Sequence, residues 1–137
     1  MRSFEYYVEK GDVKKQSPNK NLSAATYAEC LDRLALAKSI FVKEKPKYVL
    51  ENAYEAMREA ADAILYLEGY KSYSHEASIV YLMKKGFTER DIFQLDRLRK
   101  IRNDIKYYGK DCDKEDARDA LALADKFLPQ IKKLLKE

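Results

Sequence analysis

The sequence predicts an all-α protein, an antiparallel up-down four-helix bundle with one additional short helix. Apolar residues recur at three-four spacing through its long segments, the period of one face of an α-helix. Four glycines and three prolines in 137 residues leave few turn formers for a β-rich chain. The connections between periodic segments are short, which favours antiparallel neighbours. With 46% hydrophobic and 36% charged residues the chain reads as folded and heavily charged. Its length suits one domain with a real core.

Residues 1–21 are expected to form an N-terminal strap or short helix ahead of a bundle spanning 22–137. Phe4, Tyr6, Tyr7 and Val8 suit a short helix stopped by Gly11. Asp12 to Asn21 reads as an extended basic connector, because Pro18 disfavours helix in the residue before it. Ser23 is a good N-cap for the first long helix. The apolar face of that helix is expected at Leu22, Ala25, Ala28, Leu31, Leu34, Ala35 and Phe41. Pro46 ends it and suits the first turn of the next helix, where a missing N–H costs nothing.

The second long helix, about Lys47 to Glu68, should bury Leu50, Tyr54, Met57, Ala61, Ile64, Leu65 and Leu67 and stop at Gly69. Its alanines permit close helix approach, and Glu51, Glu55, Arg58 and Glu59 are expected on its polar side. Lys71 to Ser74 reads as a turn, with Ser74 capping a short helix from His75 to Lys85. Thr88, followed three residues later by Asp91, should open the next long helix, with Ile92, Leu95, Leu98, Ile101, Ile105 and Tyr108 inward and Gly109 as its stop. Asp113 should cap the last helix, and Pro129 should kink it.

A net charge of +4 permits an RNA or nucleotide partner without demanding one. Cys30 and Cys112 form no metal-ligand spacing, and Cys30 reads as a small core residue. No metal or cofactor is expected. No apolar run approaches the roughly 18 residues of a membrane span, so the expectation is a soluble, cytoplasmic protein.

The segment Arg97 to Lys110, RLRKIRNDIKYYGK, concentrates the functional signals. At about 100° per residue, Arg99, Arg102 and Lys106 share one stripe, while Asn103 and Tyr107 share a neighbouring face. Arg102 and Tyr107 stand about 140° apart around the axis. One copy does not bring that pair together, whereas two antiparallel copies can. A guanidinium suits a phosphodiester through two parallel hydrogen bonds. The phenol of Tyr107, ordinarily ionising near pH 10, suits donation or base stacking better than general base catalysis. The plainer alternative is a solvated helix end with Arg102 paired to Asp104, Glu55 or Glu59. His75, the sole histidine, reads as a capping or packing residue.

Four strings, VKKQSPNKN, ENAYEAMREAADAIL, GYKSYSHEA and RLRKIRNDIKYYGKD, in this order and spacing, resemble small stand-alone HEPN-domain proteins. The resemblance implies a helical bundle that forms a homodimer through its motif-bearing helices. It also implies a metal-independent endoribonuclease or toxin, or a noncatalytic RNA- or nucleotide-binding version, with a minimal nucleotidyltransferase as partner. The family's signature is Arg, a polar residue, then His after four to six intervening positions. Arg102 and Asn103 match its start, but Tyr107 stands where the His is expected, and no His follows Arg102.

The expectation is therefore a noncatalytic RNA- or nucleotide-binding homodimer, with Arg99, Arg102, Asn103, Lys106, Tyr107 and Tyr108 as ligand-binding residues. The alternatives are a divergent endoribonuclease using Arg102, Asn103 and Tyr107, and a scaffold or regulatory dimer without a nucleic-acid ligand.

Overall fold

The computed structural model describes residues 1–40 and 42–136. Phe41, expected on the first long helix's apolar face, and Glu137 lie outside the described residues. The elements are α1 (Phe4–Lys10), β1 (Val13–Lys15), α2 (Lys20–Ser39), α3 (Pro46–Glu68), β2 (Tyr70–Ser72), α4 (His75–Tyr81) with a 3-10 turn (Leu82–Lys85), α5 (Glu89–Tyr108) and α6 (Lys114–Lys136). Helix makes up 77% of the structure, so the all-α class stands despite the two short strands.

Helix α3 is central. Pro46 occupies its first turn, and its apolar residues Leu50, Tyr54, Met57, Ile64 and Leu65 are buried. Leu67, expected with them, is only half-buried. Small residues (Ala53, Ala56, Ala60, Ala63) let neighbouring helices approach closely. Helices α2 and α6 pack along α3, and α4 and α5 pack against it as well. Gly69 ends α3 at φ 90°, and a Cβ there would stand 2.7 Å from the carbonyl oxygen of Gln16. Glycine is required at this position by backbone conformation and by close approach alike.

Helix α2 starts a turn earlier than expected. Asn19 is the N-cap, its side-chain oxygen accepting from the Leu22 amide at 2.9 Å. Asparagine and serine cap equally well. Ser23 instead ties α2 to α3, its hydroxyl donating to the Ala63 carbonyl at 2.7 Å. The inward face of α2 is Ser23, Cys30, Leu34 and Ala37. Leu22, Ala25, Ala28, Leu31 and Ala35, expected inside, are exposed. Apolar side chains surround this helix, so periodicity alone offers several overlapping stripes. The stripe that is buried is the one with mostly small side chains, and its Ser23 bonds directly to α3 at Ala63.

The N-terminal segment forms the expected short helix, with Ser3 as N-cap and Gly11 as stop. Beyond it, β1 pairs antiparallel with β2, matching Val13 to Ser72, Lys14 to Lys71 and Lys15 to Tyr70. This ribbon replaces the turn expected at Lys71 and Ser72. Three-residue strands carry too little alternation to be read from sequence, and their pairing partners are far apart along the chain.

Ser74 and Thr88 cap α4 and α5 as expected, and the side chain of Asp113 accepts from the Asp116 amide at 2.8 Å at the start of α6. Helix α6 continues through Pro129, whose missing N–H leaves the Asp125 carbonyl without its helical donor. In α5, Ile92, Leu95 and Leu98 are buried, Ile101 and Ile105 half-buried, and Tyr108, expected on the same stripe, exposed. Core contact thus fades along the last two turns of α5. Among the described residues, no helix is long and apolar enough to cross a membrane.

Candidate functional site

Helix α5 lies against α3 and α4, and the packing divides the residues of its functional stretch between inside and outside. Arg102 is only 6% exposed. Its Nη2 stands 3.1 Å from Glu55 Oε1, and its Nη1 donates to Asn103 Oδ1 at 3.3 Å. Its Nε is buried without a partner among the described residues, and Glu55 Oε1 has no aligned hydrogen bond. The pair is therefore held by charge more than by hydrogen-bond geometry. Of the three carboxylates open to Arg102 in the sequence, Glu55 is the one it meets. Arg99 donates through Nε to Asp96 Oδ1 at 2.8 Å and approaches Glu76 Oε1 at 3.7 Å.

The Arg102–Glu55 contact is one end of a longer network. Glu55 Oε2 accepts from Arg58 Nη2 at 2.7 Å and from Arg58 Nε at 3.2 Å. Arg58 Nη1 reaches Asp62 Oδ2 at 2.7 Å, and Ser78 on α4 donates to Asp62 Oδ1 at 2.7 Å. Glu55 and Glu59, expected on an outward polar side of α3, are buried. A helix enclosed by neighbours has no solvent side along much of its length, so its charged residues must find partners inside. Burial raises the Glu55 carboxyl, but the hydrogen bond and charge of Arg58 and the charge of Arg102 outweigh it, and its pKa falls below the usual value. At Asp62 burial prevails over Arg58, and the pKa rises.

The fold brings His75 beside this network. Its Nδ1 lies 3.1 Å from the hydroxyl of buried Tyr54. Burial lowers its pKa to about 4, aided by the charges of Arg58, Arg102 and Arg99 and opposed by Glu55. The imidazole is accordingly neutral at pH 7 and has no proton to supply as an imidazolium. Composition could not reveal this site. The available signal was the charged set Glu55, Arg58 and Asp62 on one side of a helix otherwise rich in core residues.

The outer residues differ in kind. Tyr107 and Tyr108 are 64% and 73% exposed. Lys106 is exposed, lies 5.5 Å from the Tyr107 ring centre and has no ion pair among the described residues. Asn103 is half-buried between the two zones. One copy of the chain thus separates Arg102 from Tyr107, as the helical angle requires. The inner zone fixes a neutral histidine among arginines, whereas the outer zone offers a cation and two aromatic faces to solvent. A cleft of about 240 Å³ lies elsewhere, between α5 and α6, lined by Arg97, Leu98, Asp119, Leu123 and Lys126. Its charges are largely consumed, with Arg97 paired to Asp116 and Asp119, and Lys126 to Asp91. No protein-family model matches this chain, and comparison with curated proteins yields no match.

Proposed function

We propose that this chain is a noncatalytic HEPN-like module, an up-down arrangement of four long helices that acts as a homodimer and binds RNA or a nucleotide. The observation that carries the reading is the exposed basic and aromatic end of α5, formed by Lys106, Tyr107 and Tyr108. Exposed aromatic faces stack on bases with little sequence preference, and an unpaired lysine meets phosphate. Half-buried Asn103, which accepts from Arg102 Nη1, lies between this exposed end and the buried Arg102–Glu55 pair. A minimal nucleotidyltransferase is the partner that the resemblance implies. Catalysis is disfavoured because Tyr107 stands at the histidine position and His75, with its pKa lowered to about 4, is no imidazolium acid at neutral pH and only a weak base.

Titration of a labelled single-stranded RNA at fixed salt tests the reading. The double substitution Lys106→Ala/Tyr107→Ala should weaken binding at least about fivefold, a loss expected from one stacking contact. Absence of binding by the wild type at low salt would refute it.

A second reading, a scaffold or regulatory dimer without a nucleic-acid ligand, is favoured by one specific contact, the Arg102–Glu55 pair that occupies the guanidinium. On that reading Arg102→Met changes thermal stability while the wild type shows no RNA affinity to lose.

A further inference from the structure

The ribbon places two lysines where sheet physics disfavours them. Lys14 and Lys71 are directly opposite partners in the antiparallel pairing of β1 and β2. Directly opposed residues project from the same face of a ribbon, and like charges so placed destabilise it. The other face is occupied by Val13 and Tyr70, which turn toward the core, with Val13 buried and Tyr70 meeting the Phe4 ring edge-on at 5.3 Å.

No carboxylate among the described residues is bonded to the opposed lysines. Neither Lys14 nor Lys71 forms an ion pair there. Asp62 feels the charge of Lys71 but is already held by Arg58 and Ser78. The lysines instead flank an aromatic ring. Their ammonium groups lie 5.8 and 5.7 Å from the centre of Tyr73, which is 62% exposed, and Lys71 is also 5.6 Å from the Tyr66 ring. Tyr73 is itself anchored, its amide donating to the Asp12 carbonyl at 2.8 Å. The ribbon is tied to the end of α3 by the Gln16 amide, which donates to the Gly69 carbonyl at 2.9 Å. The result is a tethered pair of strands bearing two lysines without ion pairs among the described residues and an exposed aromatic ring.

We infer that the outer face of the ribbon, Lys14, Lys71 and Tyr73, is a second contact site for a single strand of RNA. The lysines take the backbone phosphates and Tyr73 stacks on a base. An anion bridging the two ammonium groups turns their repulsion into attraction. The lysines' flexible stems let each ammonium leave the ring for a phosphate, which frees the ring for a base. A simple anion site would need the lysines alone, whereas the flanked exposed ring matches a ligand that alternates phosphate and aromatic base. The inference rests on the RNA-binding reading above and adds to it a separate surface on a different element.

Fluorescence anisotropy with a labelled oligouridylate of about 12 nucleotides, within the site sizes such surfaces span, tests it across a salt series. The double variant Lys14→Thr/Lys71→Thr should bind at least about tenfold more weakly. Its log–log salt slope should be shallower by about 1.4, the change for two lost single-strand phosphate contacts. Its melting temperature should equal or exceed that of the wild type, because the opposed charges are gone. Tyr73→Ala, which removes an exposed ring and no core contact, should weaken binding at least about fivefold with no change in slope. Wild-type binding with unaltered affinity and slope in both variants would overturn the ribbon site alone, leaving the α5 surface standing. Equal competition by polyglutamate of matched charge would also overturn it, in favour of an acidic protein partner. No binding by the wild type would overturn both readings.

Discussion

His75 sits at the first position of α4, with Tyr54 on one ring nitrogen and Arg58, Arg99 and Arg102 around it. Partial burial and neighbouring cations both oppose its protonation. In the unfolded chain the imidazole titrates near its ordinary 6.5, whereas in the folded chain it titrates near 4. As pH falls through 6.5 the unfolded state takes up a proton that the native state refuses. Native stability is therefore lost between about pH 6.5 and 4 and is fully present above 6.5. Allowing for partial exposure, the loss should be about 2 kcal/mol. Urea unfolding from pH 7 to pH 4 measures it, and His75→Gln should flatten the upper part of that window. Glu59 and Asp62, whose pKa values burial raises, act with the opposite sign. The difference between wild type and variant therefore isolates the histidine. A wild-type profile parallel to that of the variant would refute this account. The network around Arg102 was only partly legible from sequence. Glu55 was one of three possible partners, while the approach of His75 depends on how α4 turns back onto α3.

At the scale of elements, the junction of α3 with the ribbon is the most demanding backbone site. Gly69 combines a left-handed conformation with contact to Gln16, and the Gln16 amide closes onto the Gly69 carbonyl. Gly69→Ala should destabilise the protein by about 2 kcal/mol or more, from backbone strain plus the close contact. Thermal or denaturant unfolding checks this. Gly11→Ala, where nothing lies within 4 Å of the added Cβ, should cost less, and equal costs would exclude the close-contact contribution. The helix stops at Gly11, Gly69 and Gly109 and the caps at Ser74, Thr88 and Asp113 were readable because each is a local event within a few residues. The inward face of α2 was not, since it depends on which of several apolar stripes fits the alanines of α3. Ser23 shows the difference well: its chemistry marks it as a good cap, but its position against Ala63 makes it a buried donor.

For the whole molecule, the proposed homodimer through α5 has a direct consequence. Phe93 lies on the outer side of α5 and is exposed in the single chain, and Leu31 and Leu36 are exposed on α2. Light scattering should give a mass near twice the 16.0 kDa of one chain. Phe93→Asp should shift it toward the monomer, and Leu36→Asp should not. A monomeric wild type would refute the dimer, and dissociation by Leu36→Asp alone would move the interface to α2. The sequence by itself determined the all-α class, the order of the long helices, most of their ends and the concentration of basic and aromatic residues at the end of α5. These follow from local propensity, capping and the helical period. Tertiary structure alone decided that Arg102 turns inward to Glu55 while Tyr107 stays in solvent, that His75 joins the arginines, and that Lys14 faces Lys71 across a ribbon. Each of those depends on contacts between segments distant in the chain, where burial and charge pairing override the local pattern.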